Sequence, residues 1–156
     1  MSSKPKIKIV DDSSIRDEIF KLYESTNQLL LAKWSISIAR HILNLVGIDY
    51  KTVDVIREGL EVNERWQLGT ARMYDVRQAG FKIHKLAREN NNNKVYQTAL
   101  RVVGQAVGSG HMSEHSIVAS DYAVKVVGLL FSNDLDSITK ERKWQLEELM
   151  KIIKSN

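Results

Sequence analysis

Proline is almost missing from this chain, and this constrains the fold more than any other feature of the sequence. The 156 residues contain one proline, Pro5, close to the N-terminus. Proline inside a helix removes a backbone hydrogen bond and clashes with the preceding turn, so helix interiors exclude it. From residue 6 onward, the sequence can therefore be helical almost throughout.

Turn-forming residues divide this length into separate helices. Gly47 is a typical C-terminal helix stop, and the asparagine run 90–93 predicts a polar turn. The predicted helices span residues 14–26, 28–46, 50–68, 70–90, 93–108, 114–132 and 136–154.

Helix starts are marked by short polar side chains. Ser14 with Asp17 resembles a capping box, in which a serine and a carboxylate three residues later satisfy unpaired backbone donors. Asp49 is a candidate N-cap for the third helix, and Ser113 for the sixth.

These segments predict an all-α fold, a single compact domain of about seven helices arranged as a bundle or array, over residues 13–156. The sixth helix is apolar nearly all round, so we expect it to be central. Residues 1–12 are predicted to form an N-terminal tail or short extended segment. Within them, residues 6–10 alternate like a strand but have no evident partner strand.

Composition narrows the possible functions. The chain has no cysteine, which excludes disulfides, thiol nucleophiles and cysteine-ligated metals. The N-terminus lacks the apolar region of a signal peptide, and no uninterrupted apolar stretch approaches the length of a membrane span. We therefore expect a cytoplasmic protein that does not engage membranes. Its net charge of +4 permits an acidic partner without requiring one.

The segment His111-Met112-Ser113-Glu114-His115 matches the H-x-x-E-H pattern of inverted zinc peptidases. That chemistry needs both histidines on one helix, with a glutamate as general base and a third ligand elsewhere. Because Ser113 is a candidate N-cap inside the pattern, we favour polar residues at a junction between helices, and predict no metal and no cofactor. A small metal-dependent hydrolase using His111, Glu114 and His115 is the alternative.

Asp121 lies within the most apolar helix and completes a candidate polar cluster with His111, Glu114 and His115. A buried carboxylate is costly unless it is paired. Lys125, one turn further on, is the nearest candidate partner, and the two histidines could reach Asp121 if the turn folds back. The pattern predicts either an ion pair at the edge of the core or a polar pocket.

The fourth predicted helix carries a basic and aromatic face. Five residues at helical spacing share this face, opposite the apolar stripe of the helix: Tyr74, Arg77, Phe81, Lys85 and Arg88. Such a face suits an acidic protein, with aromatic and arginine anchors. It also suits nucleic acid, through phosphate contacts and base stacking, although we favour this less. Alternatively, the two rings simply pack on a neighbouring helix.

Three parts of the chain carry motifs of a known family. The first is Ala32-Lys33-Trp34, early in a predicted helix. The second is the segment Ala99 to Tyr122, which contains Gly104-Gln105-Ala106-Val107 followed by His111 and His115. The third, near the end of the chain, is Glu141-Arg142 with Trp144-Gln145. Together they resemble the immunity five-like family, small all-helical prokaryotic proteins of polymorphic toxin systems. The resemblance extends over about residues 29–148. It implies an all-α fold without catalysis or a cofactor, and binding to a protein toxin that is thereby neutralised.

Overall fold

The computed structural model describes residues 3–156, and these residues form seven α-helices. The all-α prediction is confirmed. The helices are α1 (Ser13–Ser25), α2 (Gln28–Val46), α3 (Asp54–Gln67), α4 (Met73–Glu89), α5 (Lys94–Gly108), α6 (Glu114–Leu130) and α7 (Leu135–Lys154).

Three predicted helix caps differ from the structure. Ser113 stands before α6 with helical backbone, and its side chain makes no capping hydrogen bond. Helix α1 is capped by Asp12, whose carboxylate accepts from the backbone N–H of Ile15 at 3.3 Å, so the capping box of Ser14 with Asp17 is wrong. Asp49 does act as a cap, but of a 3₁₀ turn at Tyr50–Thr52 that precedes α3. The side chain of Asp49 thus starts the 3₁₀ turn with a local hydrogen bond, and α3 begins only after that turn has ended.

Helices α2 and α5 lie between two parts of the core. On one side, α2, α3, α4 and α5 enclose a cluster that includes Leu43, Leu60, Ile83 and Val103. On the other side, α1, α2, α5, α6 and α7 enclose a cluster around Trp34. Helix α6 is deeply buried, as expected, and joins the two clusters together with α2 and α5, because its Ala119 belongs to the first cluster and its Ile117 to the second.

Helix α2 is, within the described chain, the one helix long and apolar enough to cross a membrane by length and composition. Most of its large apolar residues, however, lie in the core. Trp34 is fully buried, and its indole N–H donates to the backbone carbonyl of Gln145 at 2.9 Å. We therefore interpret α2 as a core helix.

The N-terminal segment, residues 3–12, has no helix or strand in the described part of the chain. Ile9 packs on Val124, Val127 and Ile138, which belong to α6 and α7. The alternation of residues 6–10 therefore places one side chain of an extended segment against the helices, without any strand pairing.

The turn between α6 and α7 contains two consecutive residues with left-handed backbone, Ser132 (φ 51°) and Asn133 (φ 58°). The backbone N–H of Asn133 donates to the carbonyl of Gly128 at 2.8 Å. Asp134 then caps α7 by accepting from the N–H of Ser137 at 3.0 Å. These bonds fix a short, sharp corner, because they satisfy backbone groups at the end of α6 and the start of α7.

Candidate binding surface

The basic and aromatic face of α4 is exposed to solvent. Tyr74 is 58% and Phe81 51% exposed, so packing against a neighbouring helix does not account for these rings. Arg77, Lys85 and Arg88 are exposed as well. We call these five residues the α4 face.

The opposite side of α4 fixes its position. Val76, Ile83 and Ala87 are buried in the core, at the spacing of one helical stripe. Where α4 meets α5, Gly80 lies so close to the backbone that a Cβ there would be 3.5 Å from the carbonyl oxygen of Gly104. Small residues thus allow the two helices to approach closely, and α4 presents its outer face from a rigid support.

The charged members of the α4 face are all positive. The guanidinium of Arg77 lies 5.2 Å from the ring centroid of Phe81, within the range of a cation–π contact. Helix α4 contains two acidic residues, which lie at the margin of this face: Asp75 is bonded to Arg72 and lines a cleft with Tyr74, and Glu89 lies one turn after Lys85. Three cations and two rings thus face solvent on α4, and they outnumber the carboxylates beside them.

The histidines of the H-x-x-E-H pattern lie at the junction of α5 and α6. His111 precedes α6, whereas His115 lies in its first turn, and the two rings stack with their centroids 5.5 Å apart. The Nδ1 of His115 is 2.7 Å from Gln105 Oε1, and Glu114 is paired with Lys6. Burial, followed by the nearby His111, lowers the pKa of His115.

Within residues 3–156, no group of three or more His, Asp or Glu side chains is placed to hold a metal ion. The glutamate that the hydrolase alternative needs as a general base is instead engaged by a lysine of the N-terminal segment. The arrangement matches polar residues that satisfy one another where helices meet.

Asp121 is not part of this histidine cluster, and Lys125 is not its partner. It is 2% exposed and lies between two arginines. Arg16 of α1 holds both of its oxygens, at 3.1 and 3.0 Å, and Arg142 of α7 donates to Oδ1 at 2.7 Å. The prediction that Asp121 is paired was correct. Its partners, however, come from helices distant in sequence, and the ion pairs lie in the interior of the protein.

Arg142 in turn binds Asp11 through two hydrogen bonds of 2.8 Å. Burial opposes the positive charge of Arg142, yet the bonds to Asp11 and the charges of Asp121 and Asp11 raise its pKa. Two arginines and two aspartates thus form a neutral buried network. Charged groups can be buried when each is paired and hydrogen-bonded in this way.

The motif Glu141-Arg142 with Trp144-Gln145 forms a second part of the polar interior. Glu141 contacts His41 Nε2 at 2.7 Å, and the His41 ring stacks on Trp144 at 3.8 Å between centroids. Gln145 donates to the backbone carbonyl of Ser120 at 3.1 Å and accepts from Arg142 at 3.0 Å. This motif therefore joins α7 to α2 and α6, and its polar groups stabilise the fold.

The role of Arg16 in pairing Asp121 was not predicted. One signal for it existed: Arg16 precedes Ile19 and Phe20 by three and four residues, which places it on the apolar side of α1. An arginine on one apolar stripe and an aspartate on another suggest that the two meet in the core.

These features define the class of the protein as a small all-α domain with a satisfied polar interior and one exposed basic and aromatic helix. The chain matches the model of the Imm-5 like putative immunity protein family over residues 21–152. It belongs to that family, which confirms the resemblance found in the sequence. No curated protein and no solved structure matches the chain.

Proposed function

We propose that this protein is a cytoplasmic immunity protein that binds and neutralises a protein toxin, without catalysis, through the α4 face. Membership in the immunity family supports a protein partner. We choose this surface because Tyr74 and Phe81 are exposed to solvent among three cations on one rigid helix.

The chemistry of the α4 face fits an acidic partner. Complementary charge accelerates association, because it steers the two proteins before contact. Aromatic and arginine side chains then supply the buried anchors that carry most of the affinity in an interface. A toxin whose active site is acidic, or is bordered by carboxylates, would be covered by such a helix and lose access to its substrate.

Affinity purification of the tagged protein from its native cells, with and without nuclease, tests the class of partner. We expect a stoichiometric protein partner that survives nuclease treatment. The purified partner should show toxic activity that the immunity protein suppresses at a one-to-one ratio. Co-purification that is lost on nuclease treatment, with affinity falling steeply as salt rises, would indicate nucleic acid and overturn the proposal.

A charge reversal tests the surface. The double substitution Arg77→Glu and Arg88→Glu should slow association with the partner by at least about tenfold, since it turns attraction into repulsion. Both residues are exposed, so the melting temperature should not fall. Lys21→Glu with Lys143→Glu, on α1 and α7, gives the same change in net charge and is the matched control. Equal association rates for the two double variants would exclude the α4 face.

A further inference from the structure

Arg101 of α5 is partly buried and has no carboxylate partner in the part of the chain that the structure describes. Its Nη1 donates instead to an imidazole nitrogen, His84 Nδ1, at 2.8 Å. The other arginines that are at least partly buried each pair with an aspartate or glutamate: Arg16, Arg40, Arg57 and Arg142. Shielding a guanidinium from water is costly without an anion, so the position of Arg101 favours a bound anion.

His84 holds the guanidinium of Arg101 in place. An arginine N–H can only donate, so Nδ1 of His84 accepts and the ring proton lies on Nε2. Burial, followed by the charge of Arg101, lowers the pKa of His84 to about 4, so the ring is neutral at neutral pH. The ring also lies against α5, because a Cβ at Gly104 would be 2.7 Å from its Cε1 and Nε2 atoms. His84 is therefore a positioning residue for Arg101.

One edge of the Arg101 guanidinium remains available. Its Nε and Nη2 donate to no acceptor within residues 3–156. All fully buried side-chain nitrogens of the described residues have partners, so these two are open to solvent. The Nε–H and Nη2–H groups of an arginine form a fork that matches two oxygens of a carboxylate or a phosphate group.

The groups that act on His84 are cationic or neutral, and no carboxylate is among them. They come from three helices: Arg88 on α4, Arg101 on α5 and His115 on α6. Burial lowers the pKa of His115, so this ring adds no charge at neutral pH. Glu114, which acts on His115, is already paired with Lys6. An anion at Arg101 is therefore attracted by two arginines, with no resident acid to compete for them.

We propose that Arg101, positioned by His84, binds an oxyanion, either a carboxylate or a phosphate group, at the edge of the α4 face. His84 lies on α4 one turn after Phe81 and one turn before Arg88, so the site adjoins that face. A carboxylate of a docked protein and a free phosphate would make the same two hydrogen bonds. The site does not depend on the identity of the toxin.

Proton NMR of the His84 ring over a pH series tests the site, with sulfate as the probe because sulfate stays ionised in acid. Sodium sulfate should raise the pKa of His84 by about 0.5 or more relative to sodium chloride of equal ionic strength, since a bound anion offsets the charge of Arg101. Arg101→Gln should abolish this difference. Arg65→Gln, at an exposed arginine of α3, is the matched control and should keep it. Equal pKa values in the two salts, or an unchanged difference in Arg101→Gln, would overturn the proposal.

The Nε–H resonance of Arg101 reports the contact in the unaltered chain. Sulfate should shift this resonance to saturation, and chloride should not. His84→Leu removes the acceptor that holds the guanidinium, so it should weaken sulfate binding at least about threefold. His84→Gln keeps an acceptor and should bind sulfate like the wild type. A leucine variant with wild-type sulfate affinity would contradict the positioning role of His84.

The partner protein from the affinity purification distinguishes the two sources of the oxyanion. Dissociation that is at least about tenfold faster for Arg101→Gln, but not for Arg65→Gln, would identify a carboxylate of the partner. Unchanged partner affinity together with sulfate binding would identify a free phosphate-like anion. The sulfate measurements need no partner. Failure of this site and failure of the α4 face as the toxin-binding surface are therefore separate results.

Discussion

Asp121 shows how single residues specify this fold. Its carboxylate accepts three hydrogen bonds from two arginines that are separated from it by 105 and 21 positions. Such a network contributes little net stability compared with apolar packing, but it is very sensitive to the loss of one member. The two arginines can therefore be in the core only while their aspartates are present.

We expect Asp121→Ala to lower the free energy of unfolding by about 3–5 kcal/mol, because it leaves Arg16 and Arg142 buried with a single carboxylate between them. Urea denaturation measures this loss. Asp17→Ala, at an exposed position of α1, is the control and should change stability by no more than about 0.5 kcal/mol. Similar losses in the two variants would mean that the buried network does not hold the helices together.

We expect His84 to make the stability of the protein depend on pH. Burial, followed by the charge of Arg101, lowers the pKa of His84 from 6.5 to about 4, and Arg101 donates to its Nδ1 at 2.8 Å. The unfolded chain therefore binds a proton between these pH values that the folded chain does not. Stability should be unaffected above pH 6.5 and fall by ~2 kcal/mol toward pH 4, since partial exposure weakens the effect.

The substitution His84→Gln keeps an acceptor for Arg101 and removes the titrating group. Urea denaturation at a series of pH values should give a flatter curve for this variant below pH 6.5 than for the wild type. Parallel curves for the two proteins would assign the acid sensitivity to other groups.

At the scale of the helices, Gly47 ends α2 with a φ of 76°, in the left-handed region. A Cβ at this position would meet no atom within 4 Å, so the cost of a substitution comes from the backbone alone. We expect Gly47→Ala to destabilise the protein by about 1 kcal/mol, and Gly47→Asn by less, because asparagine tolerates this conformation better. Thermal denaturation should rank them in this order, and an alanine variant as stable as the asparagine variant would contradict the explanation.

Most helices could be predicted because their signals are local. The stop at Gly47 and the break before Asp134 depend on residues within one turn of the helix end. Because these predictions rest on local signals, they fail where a contact distant in sequence decides the cap of a helix. Several short polar side chains compete to cap α1, and the winner, Asp12, is also bound by Thr139 of α7, at a position that no local pattern could reveal.

The same difference between local and distant signals applies to the α4 face and to the network around Asp121. The α4 face could be predicted from its spacing, since every member lies on one helix and faces away from the apolar stripe. The network around Asp121 could not, because Lys125 is closer in sequence than either true partner. Side chains that meet only after the helices have packed leave no periodic signal in the chain.

At the scale of the whole molecule, the N-terminal segment and α7 hold each other. Asp11 binds Arg142, 131 positions away, and Thr139 binds Asp12. We expect Asp11→Ala to lower the free energy of unfolding by about 2–4 kcal/mol, since Arg142 then stays buried with one carboxylate fewer. Lys8→Ala, exposed in the same segment, is the control for urea denaturation. An Asp11→Ala variant as stable as this control would show that the segment lies passively on the helices.

The pairing of Asp11 with Arg142 also sets the order in which this protein can be completed during synthesis. A ribosome delivers the N-terminal segment and α1 through α6 before it delivers Arg142. Until then Asp11 has no arginine partner, and Asp121 is paired with Arg16 alone. Without α7 both carboxylates stay in contact with water, so the buried network can close only once Arg142 is available.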